Sequence, residues 1–355
     1  MIAVQVHSAP LKTILQRATF RTSRLLDFAS EKELVAQTGH GRKDWPLVLL
    51  KELVDNAIDA CEEVGTAPVI AVKVDESGIT VRDNGPGLPA ETIKHFLDFA
   101  IRVSNREAYI SPTRGAQGNA LKTILAIPYV LSGDRGRIEI EAHGTLHLIE
   151  MSIDRIRQEP VIQHELGVTE TEVGTMVRVR WPVNSASIMQ EARPRFLQIA
   201  EDYTWLNPHL TLTVDWFGKI QKSDSTDSAW EHWMPSEQTS PHWYKPAHLE
   251  RLVAGYITHD QEAGRVRLVR ELVAEFRGLT GTAKQKMVLD ATGLARDPLT
   301  RLVNGKALDS NVITNLLTAM QANSKPIKPT RLGSIGKSHF ATRFAAAGCE
   351  MESFD

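Results

Sequence analysis

Residues 46–64 read PLVLLKELVDNAIDACEEV. At about 100° per residue, Glu52, Asn56, Asp59 and Glu63 fall in one narrow polar stripe of a helix, while Leu50, Leu53, Ala57, Cys61 and Val64 turn toward the other side. The ends carry signals as well: Asp44 suits the cap, Pro46 the first turn and Gly65 the left-handed position past the last turn. A polar stripe on an amphipathic helix is ordinarily a solvated face. This one sets a carboxylate and a carboxamide side by side, and its meaning depends on the motifs further along the chain.

GITVRD at 78–83 runs into DNGPGLP at 83–89, and RGAQGNALK occupies 114–122. A Glu-x-x-x-Asn helix, a strand ending in Asp-Asn-Gly-Pro-Gly and a glycine loop opening a second helix, in that order, resemble the ATP-binding fold of gyrase, Hsp90, histidine kinases and MutL, the GHKL superfamily. The resemblance implies an α+β class: a Bergerat-type ATP-binding α/β sandwich, followed here by a small helical domain. Taken singly, each piece has a plainer explanation. Asp, Asn, Gly and Pro together make an ordinary turn, and a GxxG stretch is often a surface loop.

Within that frame, PVIAVKVDESGITVRDNG alternates apolar and polar residues around Glu76-Ser77-Gly78, a hairpin signal that puts Asp83 where the second strand ends. A carboxylate there suits the exocyclic amine of adenine, with Asn84, Gly85 and Gly87 shaping the backbone around base and sugar. A helix is expected from Leu88-Pro89 to about Ile101. The polar stretch 102–117 then reads as a lid, in which Arg114, Gly115, Gln117, Gly118 and Asn119, with Lys122, would face the phosphates at a helix N-terminus. Ala120 stands where the family usually has a third glycine, as it does in MutL-like members. Two strands are expected over RIEIEAHGTLHLIEMSID and another over VGTMVRVRWP, where Thr175 resembles the family's threonine beside the adenine carboxylate. A strand threonine is otherwise simply good β propensity.

With 355 residues, 42% of them apolar, the chain can bury a substantial core and hold two domains. Its net charge of −2 gives no overall nucleic-acid signature. Cys61 and Cys349 are the only cysteines, with no CxxC and no His/Cys cluster along the sequence, which argues against a disulfide framework or a structural zinc and suits a reducing cytoplasm. No apolar run reaches the roughly 18 residues of a membrane span, so no membrane role is expected.

Five segments emerge from composition: an N-terminal arm or strap over 1–45, the ATP-binding domain over 46–219, a Ser-, Pro- and Trp-rich linker over 220–246, a helical domain over 247–325 and a terminal segment over 326–355. Residues 265–337 carry thirteen Lys/Arg and five Asp/Glu. That surplus suggests a polyanion-facing surface, for which Arg277, Lys284, Lys286, Arg296 and Arg301 are the candidate DNA contacts. A merely solvated basic face is the plainer alternative.

Downstream of the nucleotide motifs, SPHWYKP, the helix-two-turns-helix-like GLTGTAKQKMVLDATGL and KPIKPTRLGSIG extend the resemblance to the B subunits of DNA topoisomerase VI. The resemblance implies ATP and Mg²⁺ as cofactors, Glu52 as the general base, Asn56 as the magnesium ligand, Asp59 beside them and Asp83 as the adenine reader supported by Thr175. It further implies an ATP-dependent homodimer acting on DNA with a topoisomerase VI A-like cleaving subunit. Such subunits continue into a transducer domain that carries a phosphate-sensing lysine, of which 326–355 would be only the start. A nucleotide-binding scaffold, or a MutL-like repair or defence ATPase that recruits partners without strand passage, is the alternative.

Overall fold

Ser30 accepts from the Glu33 amide (3.3 Å) and opens α1 (Glu31–Thr38), which ends at left-handed Gly39. The computed structural model describes residues 28–97, 110, 120–154, 156–157, 159–234, 236–305 and 307–349. The decisive stretch forms α2 (Trp45–Glu63), followed by Gly65 at φ 69°. Asp44, however, does not cap it. A single 3-10 turn, Arg42–Asp44, already leads into the helix, so the Asp44 backbone is near-helical (φ −97°, ψ −2°) and its side chain makes no capping bond.

Next come β1 (Val69–Asp75) and β2 (Gly78–Arg82), a hairpin whose turn is held by Asp75 Oδ1, which accepts from the Ser77 amide and hydroxyl. α3 (Ala90–Leu97) begins where Pro89 predicts, and α4 (Ala120–Ser132) leads into β3 (Gly136–Ala142), β4 (Thr145–Asp154), β5 (Glu159–Val168) and β6 (Met176–Arg180). The long α5 (Ala186–Leu206), then β7 (Thr211–Trp216) and β8 (Lys219–Ser223), complete an eight-stranded sheet in the order β5-β4-β3-β6-β2-β1-β7-β8. Only β1 and β7 run parallel, because α5 carries the chain back to the start of the sheet; every other neighbour is antiparallel.

β1 alternates exposed and buried residues, and Ile70, Val72 and Val74 point into one core with Ile79, Val81, Ile138, Ile140, Val177, Val179, Leu212 and Val214. α2, α4 and α5 cover that face. The other face carries charge instead: Glu139 accepts from Arg178 (3.0 Å) and Arg180 (2.7 Å) across β3 and β6. The stretch forming β8 reads as linker by composition. It is an edge strand, opposite β5 in the order, joined to β7 through Phe217 (φ 50°) and Gly218 (φ 81°), and its Lys219 and Lys222 keep that open edge charged.

A second core is built by Tyr244 with α6 (Pro246–Glu262), α7 (Val269–Ala274), α8 (Thr282–Thr292) and α9 (Ser310–Ala322), with a small pair β9 (Val303–Asn304) and β10 (Ala307–Leu308) between α8 and α9. Beneath it lies an ion cluster. Arg267, 9% exposed, donates to Asp260 (2.7 and 3.3 Å) and Glu275 (2.7 Å) and lies 4.2 Å over the Tyr256 ring. Last, α10 (Lys337–Ala346) returns to α5, setting Phe340 and Phe344 against Trp205 while His339 donates to the Trp205 carbonyl (2.9 Å). Among the described residues, no helix is long and apolar enough to cross a membrane.

Where β2 and β6 run out, the Asp83 amide donates to the Thr175 carbonyl (3.0 Å). The approach is close enough that a Cβ on Gly174, at φ 80°, would meet the Asp83 carbonyl oxygen at 2.0 Å. Gly174→Ala should therefore destabilise the fold by at least about 2 kcal/mol, through backbone strain and collision together, measured by denaturant unfolding.

The Arg267 cluster makes a separate test. Arg267→Met leaves Asp260 buried without its partner and should cost about 3–5 kcal/mol in the same measurement. The hydrogen bond from Arg267 holds the Asp260 carboxyl below the ordinary aspartate value, against the effect of burial. A carboxylate with a depressed folded pKa stabilises above its unfolded pKa and loses that contribution as pH falls through the folded value. The wild-type chain should thus lose stability in acid more steeply than Arg267→Met.

Candidate nucleotide site

The apolar face of α2 buries Leu49, Leu50, Leu53, Val54 and Ile58, and this burial fixes which side chains are left on the opposite side. Glu52 is partly buried and Asn56 exposed, one turn apart on the same face, with Asp59 partly buried a turn further on. Burial raises the Glu52 carboxyl above the ordinary glutamate value, Lys51 pulls it down and Asp55 pushes it up. Neither Glu52 nor Asn56 makes a hydrogen bond among the described residues; Lys51 Nζ stands 4.0 Å from the Glu52 carboxylate. Two other polar residues of the same helix are spent on the scaffold. Asp55 accepts from Lys51 (2.7 Å) and Tyr203 (2.6 Å), and Glu62 lies 2.8 Å from both His209 and His232.

At the end of β2, Asp83 Oδ1 accepts from the amides of Gly85 (2.8 Å) and Thr175 (3.1 Å). Burial pushes this carboxyl above the ordinary aspartate value, while those two amides and Arg82 oppose the shift. Oδ2 makes no hydrogen bond among the described residues, so an acceptor is held in place by its fixed neighbour. Thr175 supports Asp83 through its backbone amide. Gly87, at φ 87°, lies against His143, whose ring would meet a Cβ there at 2.7 Å.

Asn84 has a different task from the one expected of it. Its Oδ1 accepts from the Val69 amide (2.8 Å) and Cys61 Sγ (3.3 Å), and its Nδ2 donates to the Ala67 carbonyl (3.1 Å). The whole amide thus clamps the start of β1 to the end of α2. Cys61, between that clamp and Asp83, is pushed up to about 12 by burial and by the Asp83 charge, so its thiol stays protonated and inert. Lys122 sits in the first turn of α4 and is buried. Arg114, Gly115, Gln117, Gly118 and Asn119 lie outside the described residues. The supports His143, Tyr203 and Asp55 gave no signal in the sequence: Asp55 falls off the polar stripe, and the other two come from distant elements.

The basic candidates separate. A cleft of about 510 Å³ is lined by Arg277, Lys284, Lys325, Lys328 and Arg331. Lys286, Arg296 and Arg301 are exposed but do not line it. On α8, Lys284 and Lys286 are two residues apart and so point to nearly opposite sides. One predicted contact is also partly committed: Arg277 donates to Glu237 (2.5 Å) and stacks 4.9 Å over Trp233, and Glu237 takes Arg331 as well (3.2 Å).

Residues 41–185 match the family model of histidine kinase-, DNA gyrase B- and HSP90-like ATPases. The chain is 32% identical over 204 residues to the B subunit of type 2 DNA topoisomerase 6 from Natronomonas pharaonis, covering 54% of this chain and 24% of that protein. To the B subunits of the same enzyme from Methanosarcina mazei and Pyrococcus furiosus it is 27% and 25% identical over 206 and 278 residues, covering 55% and 76% of this chain and 32% and 46% of theirs. The chain thus spans between a quarter and a half of the length of these relatives. The acidic helix, the Asp83 strand end and strands β1 to β6 fall within the matched segment, and residues 41–185 are a GHKL ATPase domain in a chain similar to topoisomerase VI B subunits.

Proposed function

We propose that this chain binds and hydrolyses ATP with Mg²⁺, dimerises in the ATP-bound state, and uses that cycle in the cytoplasm to clamp or gate duplex DNA for a separate topoisomerase VI A-like cleaving subunit. The observation that carries the proposal is that Glu52 and Asn56 make no hydrogen bond among the described residues, on a helix whose buried acids Asp55 and Glu62 are both engaged in the scaffold. Asp83 reads the adenine amine through its Oδ2, while Gly85 and Gly87 keep the wall beside it thin. Asn56 offers a carboxamide oxygen, a hard donor suited to Mg²⁺, whose charge would offset that of the triphosphate. Glu52 accepts a proton from the attacking water as the new oxygen–phosphorus bond forms and the bond to ADP breaks. Its raised pKa makes it a stronger base than an exposed glutamate. Arg114, Gly115, Gln117, Gly118, Asn119 and Lys122 are assigned to the phosphates and Asp59 to the ordering of water near Asn56.

Two substitutions separate binding from chemistry. Asp83→Asn should abolish ATP binding in calorimetry, because the pocket loses its acceptor and gains an unmatched donor. Glu52→Gln should keep nucleotide affinity, stop phosphate release and accumulate as an ATP-bound dimer in light scattering. In the parent, hydrolysis should fall as pH drops through a carboxyl group held above the ordinary glutamate value. Unchanged turnover in Glu52→Gln would remove this residue from the mechanism.

For DNA, the support is the convergence of Lys284, Lys325, Lys328 and Arg331 on one cleft, in a chain similar to subunits named for a DNA topoisomerase. Phosphate contacts position a duplex without reading it, so binding should show little sequence preference and a log-log salt slope of roughly −0.9 per contact. Reversing Lys284 and Lys328 to Glu should weaken binding and flatten that slope together in gel-shift titrations. No shift by the parent chain at low ionic strength would sink the DNA role.

A further inference from the structure

Away from the nucleotide face, three ligating side chains from distant parts of the chain converge. Glu62 comes from the last turn of α2, His209 from the bend before β7 and His232 from the segment between β8 and α6. His209 Nε2 and His232 Nε2 each lie 2.8 Å from Glu62 Oε1, and the three donor atoms fall within 4.8 Å of one another. The side chains are 5, 12 and 4% exposed for His209, His232 and Glu62. Trp230 covers both imidazoles, with ring centroids 5.0 Å from His209 and 5.1 Å from His232, and is itself held by its indole N–H donating to the Ser334 carbonyl (2.9 Å).

We propose that Glu62, His209 and His232 bind one zinc-class divalent ion, which staples the end of the nucleotide-binding helix to β7 and to the segment leading into the helical core. Two imidazole nitrogens and a carboxylate oxygen make a donor set that suits Zn²⁺ and its first-row neighbours and disfavours Mg²⁺ and Ca²⁺, which take oxygen ligands. The spacing fits too. Ligand bonds of about 2.0–2.2 Å in a tetrahedral site separate neighbouring donors by roughly 3.3–3.6 Å, so the 2.8 Å pairs need open by about 0.5–0.8 Å. Elsewhere among the described residues, His147 and His164 lie 2.9 Å apart on β4 and β5, but no carboxylate joins them as a third ligand. The staple is distinct from the magnesium position, since Glu62 follows Asn56 by six residues of α2, about 9 Å along the axis, and is buried where Asn56 is exposed. A closed loop of this kind ties together chain segments 147 and 170 residues apart.

The test uses the full chain, stripped with chelator and kept free of nucleotide. Titration with Zn²⁺ by calorimetry should give one equivalent, undisturbed by excess Mg²⁺, and the melting temperature should rise by a few degrees. Co²⁺ in its place should give the visible absorption of a low-coordinate nitrogen and oxygen site. His232→Asn, at the most exposed of the three ligands, should weaken binding roughly tenfold or more and abolish the Co²⁺ band, and His164→Ala should change neither. Far-UV circular dichroism identifies any variant that misfolds, and then the stripped parent decides by itself. Failure of the parent to take up Zn²⁺, or loss of binding in His164→Ala with retention in His232→Asn, would overturn the proposal.

Discussion

The burial of α2 against the sheet is the constraint on which the site depends. Leu49, Leu50, Leu53, Val54 and Ile58 are each at most 3% exposed, and burying side chains of this kind stabilises by about 1.5–3 kcal/mol apiece. That surplus locks the rotation of the helix. Once its rotation is fixed, Glu52 and Asn56 need no hydrogen bond from the scaffold to hold their place, and they remain open to a ligand. The same rotation drives Asp55 and Glu62 inward, where each must find a partner, and each does.

A second tie runs through the end of β2. The Asp83 amide bonds to the Thr175 carbonyl while the Asp83 carboxylate takes the Thr175 amide, so backbone pairing of β2 with β6 also positions the acceptor. Asn84, next in the chain, clamps β1 to α2. Two adjacent polar residues thus divide the work: one serves the pocket, the other the frame around it. The buried thiol of Cys61 sits between them without chemistry of its own.

Charge in the helical region is distributed less simply than its total suggests. Arg265 pairs with Glu271, Arg267 with Asp260 and Glu275, and Arg277 and Arg331 share Glu237. Part of the basic surplus therefore holds the helices together. What remains concentrated is the cleft with Lys284, Lys325 and Lys328, where among the described residues no acidic one lines the wall.

The sequence by itself determined the elements that local pattern controls. The α2 stretch, the β1–β2 hairpin, β3, β4, β6 and the helical character beyond residue 246 were legible, because period, turn chemistry and caps act over a few residues. So was the polar stripe with Glu52 and Asn56, and the position of Asp83 at a strand end. Only the tertiary structure decided the rest. The edge strand β8 lacks an apolar alternation and exists because β7 offers it a partner. Asn84 reads as a pocket residue in the sequence, yet its amide joins β1 to α2. The sequence, having no His/Cys cluster, argued against a structural zinc, yet Glu62, His209 and His232 meet across 147 and 170 residues. Spacing along a chain reports contacts only within one element, and the packing of α2, the 207–209 bend and the 224–234 segment creates that juxtaposition in space.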